Sequence, residues 1–200
     1  MQTAKLPAEE RRTITVKAVI KLAGMQNPSE ITTAAIAQYM KLTQGALFRH
    51  FATKDEIWQT VMEWVKSQFL VQIDQTERTI ADPLTALEVM FVRHIDFVTQ
   101  YPGVPRILFG ELQKSKWTPA KGAAQSLIKQ YTERLCALIE QGKALGEISD
   151  DVDTKDAAVL FIGTIQGLIM QSILSGDIQR IQTDASGVFK IYLRGIRSWK

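Results

Sequence analysis

The chain is 200 residues long and 46% hydrophobic, which is enough to bury a core in one large domain or two smaller ones. Its single cysteine, Cys136, excludes an intrachain disulfide. The formal net charge of +3 is unevenly placed: residues 1–54 carry 8 Lys/Arg against 3 Asp/Glu, and residues 55–200 carry 16 against 18. A basic N-terminal segment on a nearly neutral body is typical of a nucleic-acid-binding head joined to a body with another role.

The chain shows no targeting or membrane signal. The N-terminal segment MQTAKLPAEERR lacks the apolar core of a signal peptide, and no uninterrupted run of about 18 apolar residues is present. The most apolar segment, 157–174, is interrupted by glycine, threonine, glutamine and serine, and we expect it to be a buried helix. The prediction is a cytoplasmic protein without membrane contact.

Sparse proline and glycine and the absence of alternating apolar residues predict an all-α fold of about nine helices. The first helix is predicted at 7–24, because Pro7 suits a first helical turn. Its inward stripe is predicted to consist of Ile14, Ala18, Val19 and Leu22. Its solvated charges are predicted to be Arg11, Arg12, Lys17 and Lys21, with the N-terminal pair available to DNA phosphates.

The stretch 31–51, ITTAAIAQYMKLTQGALFRHF, predicts two short helices joined by a tight turn at 41–43. Thr32 and Thr43 are good N-cap residues, and the second helix is predicted to end at about Phe51. Ala37 lies ten residues before Leu47, a spacing that suits two closely crossing helices in a helix-turn-helix. We assign Leu47 and Phe51 to the core. An αα-corner without any role in DNA binding would show the same pattern.

Further helices are predicted along the rest of the chain. Thr53 and Glu56 form a capping box that opens a long helix at 54–80. The later helices are predicted at 83–100, 105–113, 119–142, 154–174 and 184–199, the last with Trp199 on its apolar side. The expected architecture is an N-terminal three-helix helix-turn-helix head, residues 1–54, followed by a helical ligand-binding and dimerisation body, residues 55–200.

Three motifs occur in order near the N-terminus: ITTAAIA at 31–37, TQGALFRHF at 43–51 and TKDE at 53–56. In these motifs, which cover about a quarter of the chain, the sequence resembles the TetR family of bacterial transcriptional repressors. The resemblance implies a homodimer formed through the helices at 154–174 and 184–199. It also implies two further partners, a double-stranded, near-palindromic operator DNA and a small-molecule effector that releases it. No cofactor or metal is expected.

A recognition helix enters the major groove with its N-terminal residues near the base edges. Gln44 can form a bidentate pair with adenine, and Ala46 can offer a methyl contact to thymine. The resemblance implies that His50 and Lys54 hold phosphates, and Lys54 also lies at a helix N-terminus, which attracts anions. The full set of predicted DNA-binding residues is Thr33, Thr43, Gln44, Ala46, Phe48, Arg49, His50 and Lys54.

Three departures from the family pattern are present. Lys41 stands where a turn glycine is usual, so either this residue adopts the left-handed conformation at a cost of about 1–2 kcal/mol or the turn differs. Phe48 replaces a common tyrosine and loses its phosphate bond, and Ala34 and Ala35 replace residues that are often polar. These departures leave open an alternative, a helical ligand-binding protein that has lost specific DNA binding.

The sequence does not favour an enzyme, the other class of protein. The chain has two histidines and one cysteine, and it contains no G-x-S-x-G, H-E-x-x-H or P-loop motif. Clusters of histidine and cysteine that could hold a metal are also missing from the sequence.

The body offers a dimer surface and a candidate pocket. The helix at 154–174 is apolar around much of its circumference, and Gly163 and Gly167 permit close helix approach; a buried central helix in a monomer would explain the same pattern. His94 lies on an apolar stripe, as a pocket residue, a satisfied core histidine or a surface-edge residue would. The predicted ligand-binding residues are Phe91, His94, Phe109, Gln166 and Met170.

Overall fold

The computed structural model describes residues 7–198, except for the side chain of Glu77. Within this range the chain forms nine α-helices and one short 3₁₀ helix, Pro28–Glu30. The α-helices are α1 Ala8–Met25, α2 Thr33–Tyr39, α3 Gln44–Phe48, α4 Lys54–Thr79, α5 Pro83–Gln100, α6 Gly103–Gln113, α7 Pro119–Ala144, α8 Thr154–Ser175 and α9 Arg180–Ile196. The all-α prediction is confirmed.

Three helix bounds differ from the prediction by more than two residues at an end that the structure describes. One is the end of the last helix, which lies at Ile196 rather than at residue 199, because Arg197 is extended with φ -69° and ψ 143°. The second helix of the pair, α3, ends at Phe48 rather than Phe51, because the chain tightens into a turn in which the His50 amide donates to the Leu47 carbonyl at 3.0 Å. The last helix begins at Arg180 rather than at Asp184. No side-chain cap marks its start, and Asp184 instead pairs with Arg180 one turn inside it, at 3.4 Å. The predicted role of Trp199 lies outside the described residues.

The described chain divides into two compact units. The first comprises the residues up to Ser67 together with Tyr101–Ser126, and therefore contains α1 to α3, the first part of α4, α6 and the start of α7. The second comprises Gln68–Gln100 and the residues from Leu127 onward. By packing, α6 thus joins the N-terminal helices, whereas the sequence-based division at residue 54 stays a prediction about function.

The first unit is built on the contact between α1 and α6. Gly103, the first residue of α6, lies so close to α1 that a Cβ atom built on it would be 2.0 Å from the Ile20 carbonyl oxygen and 2.8 Å from the Gly24 nitrogen. The inward face of α1 is wider than predicted and includes Val16, Val19 and Ile20. Ile14, which was predicted to face inward, is 41% exposed.

In the second unit α5, α8 and α9 pack against one another. The helix α8 begins at Asp153, whose carboxylate accepts hydrogen bonds from the amides of Lys155 and Asp156 at 2.8 and 2.9 Å. It ends at Gly176, which adopts the left-handed conformation with φ 71°. A glycine at this position terminates a helix without steric cost.

Candidate DNA-binding and effector sites

The helix pair α2–α3 is fixed by the caps that the sequence predicted. The Thr32 hydroxyl accepts from the Ala35 amide at 3.1 Å, and the Thr43 hydroxyl accepts from the Ala46 amide at 3.2 Å. Ala37 and Leu47 are both buried, so the small residue of α2 and the large residue of α3 lie in the core, as their spacing indicated. These two assignments are confirmed, as is that of Phe51 to the core.

The turn between α2 and α3 uses a left-handed lysine. Lys41 has φ 54° and is the one non-glycine residue with positive φ among the described residues. Its amide donates to the Gln38 carbonyl at 3.0 Å, and the Leu42 amide donates to the Ala37 carbonyl at 2.8 Å. These two bonds form the Schellman motif that usually ends in glycine. Of the two alternatives for this turn, the structure shows the one in which Lys41 itself adopts the left-handed conformation.

The predicted DNA-binding residues all belong to the first unit, at the start of α2, along α3 and at the start of α4. Those with exposed side chains are Thr43, Gln44, Phe48 and Arg49, and those of intermediate exposure are Thr33, Ala46, His50 and Lys54. Every one of the eight therefore retains accessible surface. Phe48 is the only large apolar residue of α3 that is exposed, and we expect it to pack on sugar or base methyl groups rather than to hold a phosphate.

Gln44 is oriented by a contact between the two helices. Its Nε2 donates to the Thr33 hydroxyl at 3.2 Å. An amide nitrogen carries two hydrogens, so the second N–H and the Oε1 atom remain available together. That donor and acceptor pair matches adenine, which presents N7 as an acceptor and N6–H as a donor in the major groove. Thr33 thus has a second possible role, in positioning Gln44, besides the predicted phosphate contact.

Arg12 has a role that the sequence analysis missed. It was predicted to stay solvated, but it binds inside the first unit. Its Nη1 donates to the His50 carbonyl at 2.6 Å and to Glu56 Oε1 at 2.9 Å, and its Nη2 donates to the Thr60 hydroxyl at 3.0 Å. The guanidinium also lies 4.6 Å from the centre of the Phe51 ring. Arg12 therefore ties α1 to the segment between the recognition helix and α4.

Glu56 completes this contact. Its Oε2 accepts from the Ala52 amide at 2.6 Å, and its own amide donates to the Thr53 hydroxyl at 3.1 Å, so the predicted capping box is present with its return bond one residue earlier than usual. The bond from the Ala52 amide, followed by that from Arg12, lowers the pKa of Glu56. A lowered pKa means that this interaction is present at neutral pH and is lost as the pH falls through that of the folded carboxyl.

These contacts give a test that separates positioning from DNA contact. Arg12→Ala should lower operator affinity about tenfold, because α1 loses its link to the segment that follows α3, yet the salt dependence of binding should not change. A residue that binds a phosphate directly contributes about one to the slope of log affinity against log salt. Fluorescence anisotropy over a salt series measures both quantities, and Lys54→Ala is the matched variant whose slope should fall by about one. An equal fall for Arg12→Ala would show that Arg12 contacts DNA instead.

The helix α8 exposes an apolar stripe. Val159, Gly163, Gly167, Met170 and Leu174 recur at spacings of three and four and are all exposed, with Leu174 at 74%. A Cβ atom on either glycine would meet nothing within 4 Å. The opposite face of α8, which includes Phe161 and Ile165, is buried. The prediction of a buried helix therefore holds for only one face of α8 within a single chain.

A similar stripe lies on α9, where Gly187, Ile191 and Gly195 are exposed at spacings of four. The two helices pack against each other. By length and composition alone α8 could also cross a membrane, with a mean hydropathy of 1.8 and 39% of its apolar window buried. A core or interface helix passes the same test, because both need an apolar surface on more than one side.

The predicted ligand-binding residues belong to both units. Phe109 lies in the first unit, and the other four lie in the second. Phe91 is fully buried, with its ring centroid 5.4 Å from that of Phe161 and 4.9 Å from that of Phe189. Met170 lies on the exposed stripe of α8, and Gln166 on the same helix is half-buried. The assignment of these residues to a pocket remains a prediction.

His94 lies in an aromatic cluster of the second unit that we call the His94 cluster, formed by Phe69, His94, Phe97 and Tyr131. The His94 ring centroid is 4.8 Å from that of Phe69 and 5.4 Å from that of Tyr131. Burial lowers the pKa of His94 to about 3, so the ring is neutral at physiological pH. Tyr131 was not among the predicted residues, because it lies on α7 and no sequence pattern links it to His94.

The fold and these contacts define a class of protein. An all-α chain with a capped, exposed helix pair in a basic N-terminal region has the architecture of a helix-turn-helix DNA-binding regulator. Residues 16–61 match the family model for bacterial regulatory proteins of the tetR family, and residues 115–186 match that for the tetracyclin repressor-like C-terminal domain. The two matches together cover more than half of the chain. The protein belongs to the TetR family and is a DNA-binding transcriptional regulator, in a family that is generally non-enzymatic.

Individual relatives are distant. The chain is 24% identical over 174 residues to the nucleoid occlusion factor SlmA of Alteromonas mediterranea, covering 86% of this chain and 89% of that protein. The ketosteroid transcriptional regulator KstR2 of Mycobacterium tuberculosis superposes with a TM-score of 0.80 at 18% identity, over 94% and 96% of the two chains. FadR of Bacillus subtilis, in complex with stearoyl-CoA, superposes with a TM-score of 0.79 at 16% identity, over 92% and 99%. These structural likenesses concern the fold.

Proposed function

We propose that this chain is a repressor that binds a near-palindromic operator as a homodimer and is released by a small molecule bound in its second unit. The observation that carries the DNA-binding part is the exposed Gln44 side chain, oriented by Thr33 at the start of a doubly capped helix pair. The proposal is tested by a gel shift with the DNA upstream of the chain's own gene against random DNA of equal length. The alternative, a ligand-binding protein without specific DNA binding, requires equal affinity for both.

The role of Gln44 leads to a specific prediction. Gln44→Ala should cost about 1–3 kcal/mol of binding free energy at one base position, because the bidentate pair with adenine is lost. Anisotropy titrations with operators substituted at each position should locate that base. Gln59→Ala is the control, since Gln59 is also an exposed glutamine of the first unit but lies outside α2 and α3. If Gln44→Ala weakened the operator and random DNA equally, Gln44 would not read a base.

The homodimer is proposed from the stripes on α8 and α9. Exposed apolar residues on two helices that pack against each other are typical of a subunit interface. The glycines at its centre allow the backbones of two copies to approach closely. Two-fold pairing then presents two recognition helices to two half-sites of one operator. We also propose a cytoplasmic location, where operator DNA is accessible, with the exposed face of α8 covered by a second copy rather than by lipid.

The effector is proposed to bind in the second unit at the His94 cluster. The aromatic side chains of the cluster favour a molecule that is largely apolar. Acyl-CoA thioesters are one candidate class, because FadR of Bacillus subtilis has the same fold and its structure contains stearoyl-CoA. An effector can release DNA only if it binds the non-DNA-binding conformation more tightly than the DNA-binding one. A thermal-shift screen followed by the operator gel shift tests this part of the proposal.

A further inference from the structure

Two buried polar atoms of the His94 cluster have no hydrogen-bond partner among the residues that the structure describes. They are Nδ1 of His94 on α5 and the hydroxyl oxygen of Tyr131 on α7. The two rings lie with centroids 5.4 Å apart, and Phe69 of α4 contacts both, at 4.8 and 5.0 Å. Buried polar atoms in native proteins are nearly always paired, and an exception needs an explanation such as a functional role.

The cluster offers hydrogen bonds but no charge. Burial keeps His94 neutral by lowering its pKa to about 3, and burial raises the pKa of the Tyr131 hydroxyl, so it keeps its proton. The nearest arginines along the two helices are engaged elsewhere. Arg93 donates to the Gln72 carbonyl at 2.5 Å, and Arg134 pairs with Asp74 at 2.6 Å. A carboxylate placed here would lose its hydration without gaining a cation, which is strongly unfavourable.

We infer that His94 and Tyr131 hold the effector, and that the part of the effector that bonds to them is an apolar group with one uncharged carbonyl or hydroxyl oxygen. The Tyr131 hydroxyl donates to that oxygen. His94 Nδ1 donates to a carbonyl in one tautomer and accepts from a hydroxyl in the other. Phe69, whose ring contacts both His94 and Tyr131, supplies the apolar surroundings of that group. This inference rests on the proposed effector-binding role of the second unit, and it narrows the effector by chemical class.

The same geometry predicts that the two unpaired polar groups of His94 and Tyr131 lower the free energy of unfolding. An unpaired buried hydroxyl or ring nitrogen destabilises the folded chain, and an apolar ring of the same shape removes that cost. Retention of a destabilising group is typical of a binding site, where function is favoured over stability. A pair with a purely structural role would instead lower stability when it is removed.

The first experiment compares three probes with one alkyl skeleton. The full chain is titrated calorimetrically with 2-decanone, decanoyl-CoA and decanoate. At least one of the first two, in which the carbonyl group itself is uncharged, should bind about tenfold more tightly than decanoate. The ranking of the ketone against the thioester identifies the source of the carbonyl, a free molecule or an acyl carrier. Binding of decanoate as tightly as both other probes, or no binding of any probe, would overturn the proposed ligand class.

The second experiment uses variants that replace each polar ring by an apolar one. Tyr131→Phe should weaken the tighter probe at least about tenfold, while the melting temperature stays equal or rises by about 2 °C. His94→Phe should behave in the same way. The matched control is Tyr192→Phe, which removes a hydroxyl that does have a partner, the Ala157 carbonyl at 3.2 Å. This control should lower the melting temperature and leave probe affinity unchanged.

The outcomes separate the site from the proposed regulation. One outcome is that Tyr131→Phe melts at a lower temperature, as Tyr192→Phe is expected to do, and binds the probe like the parent. That result would show that His94 and Tyr131 have a structural role only, and it would overturn the inference. Gel shifts on the same variants report operator binding without any probe, which should equal that of the parent. If the probe bound through Tyr131 but left operator affinity unchanged, the site would stand and the proposed release from DNA would fail. If the probe released DNA equally from the parent and from Tyr131→Phe, the proposed release would stand and the assignment of the site to Tyr131 would fail.

Discussion

Gly103→Ala is expected to lower the free energy of unfolding by about 3 kcal/mol, more than a methyl group usually costs at a helix start. The new Cβ would lie 2.0 Å from the Ile20 carbonyl oxygen and 2.8 Å from the Gly24 nitrogen. Both are backbone atoms of α1, so no side chain can rotate away, and α1 and α6 must separate. Because α1 also carries Arg12, the separation should weaken operator binding as well.

Thermal unfolding at one fixed protein concentration measures this effect, and a loss of about 3 kcal/mol corresponds to roughly 6–12 °C for a chain of this size. Gly110→Ala is a close control, because it is the same substitution in the same helix with nothing within 4 Å of the new Cβ. Replacing an exposed glycine inside a helix should raise stability by about 0.5–1 kcal/mol. Equal melting temperatures for the two variants would contradict the close contact between α1 and α6.

The parts that the sequence predicted well depend on local chemistry. Thr32, Thr43 and Thr53 cap helices with their own hydroxyls and bond amides only three residues away. Such short-range interactions leave a residue pattern that can be read without knowing the fold. The burial of Leu47 followed from helical periodicity for a similar reason. The fold class and the helix-turn-helix were therefore predictable from the residues alone.

The parts that were missed depend on contacts between distant segments. Arg12 and Glu56 are 44 positions apart, and a charge on an amphipathic helix has the same sequence pattern whether it faces water or a buried carbonyl. Gly103 falls between the helices predicted at 83–100 and 105–113, whereas its packing role depends on where α1 passes. Tyr131 is likewise brought to His94 only by the packing of α5 and α7. No periodicity within one helix encodes such pairs.

The exposure pattern of α8 determines which of its residues can be used to test the dimer. Ile169, an apolar residue of the same helix, is 4% exposed within a single chain. A charge there would report on folding rather than on association. Leu174 and Val159 lie on the outward stripe, so a charge at either position leaves the core of the chain intact.

Leu174→Glu is accordingly expected to give a folded monomer that has lost operator binding. In a two-fold interface one substitution introduces two carboxylates, one from each copy, and both lose water when the stripe is buried. The monomer then presents one recognition helix instead of two. Because the contributions of two half-sites combine in the dimer, affinity for the operator should fall by at least about 100-fold.

Sedimentation should show the monomer at micromolar concentration, circular dichroism should show unchanged helix content, and anisotropy should show the loss of operator binding. Val71→Glu is the matched control, since Val71 on α4 is 50% exposed and lies outside the α8 and α9 stripes. It should remain a dimer with the affinity of the parent. A Leu174→Glu protein that stayed dimeric would place the interface elsewhere, because two carboxylates cannot be buried against each other on an apolar stripe without a cation to pair with them.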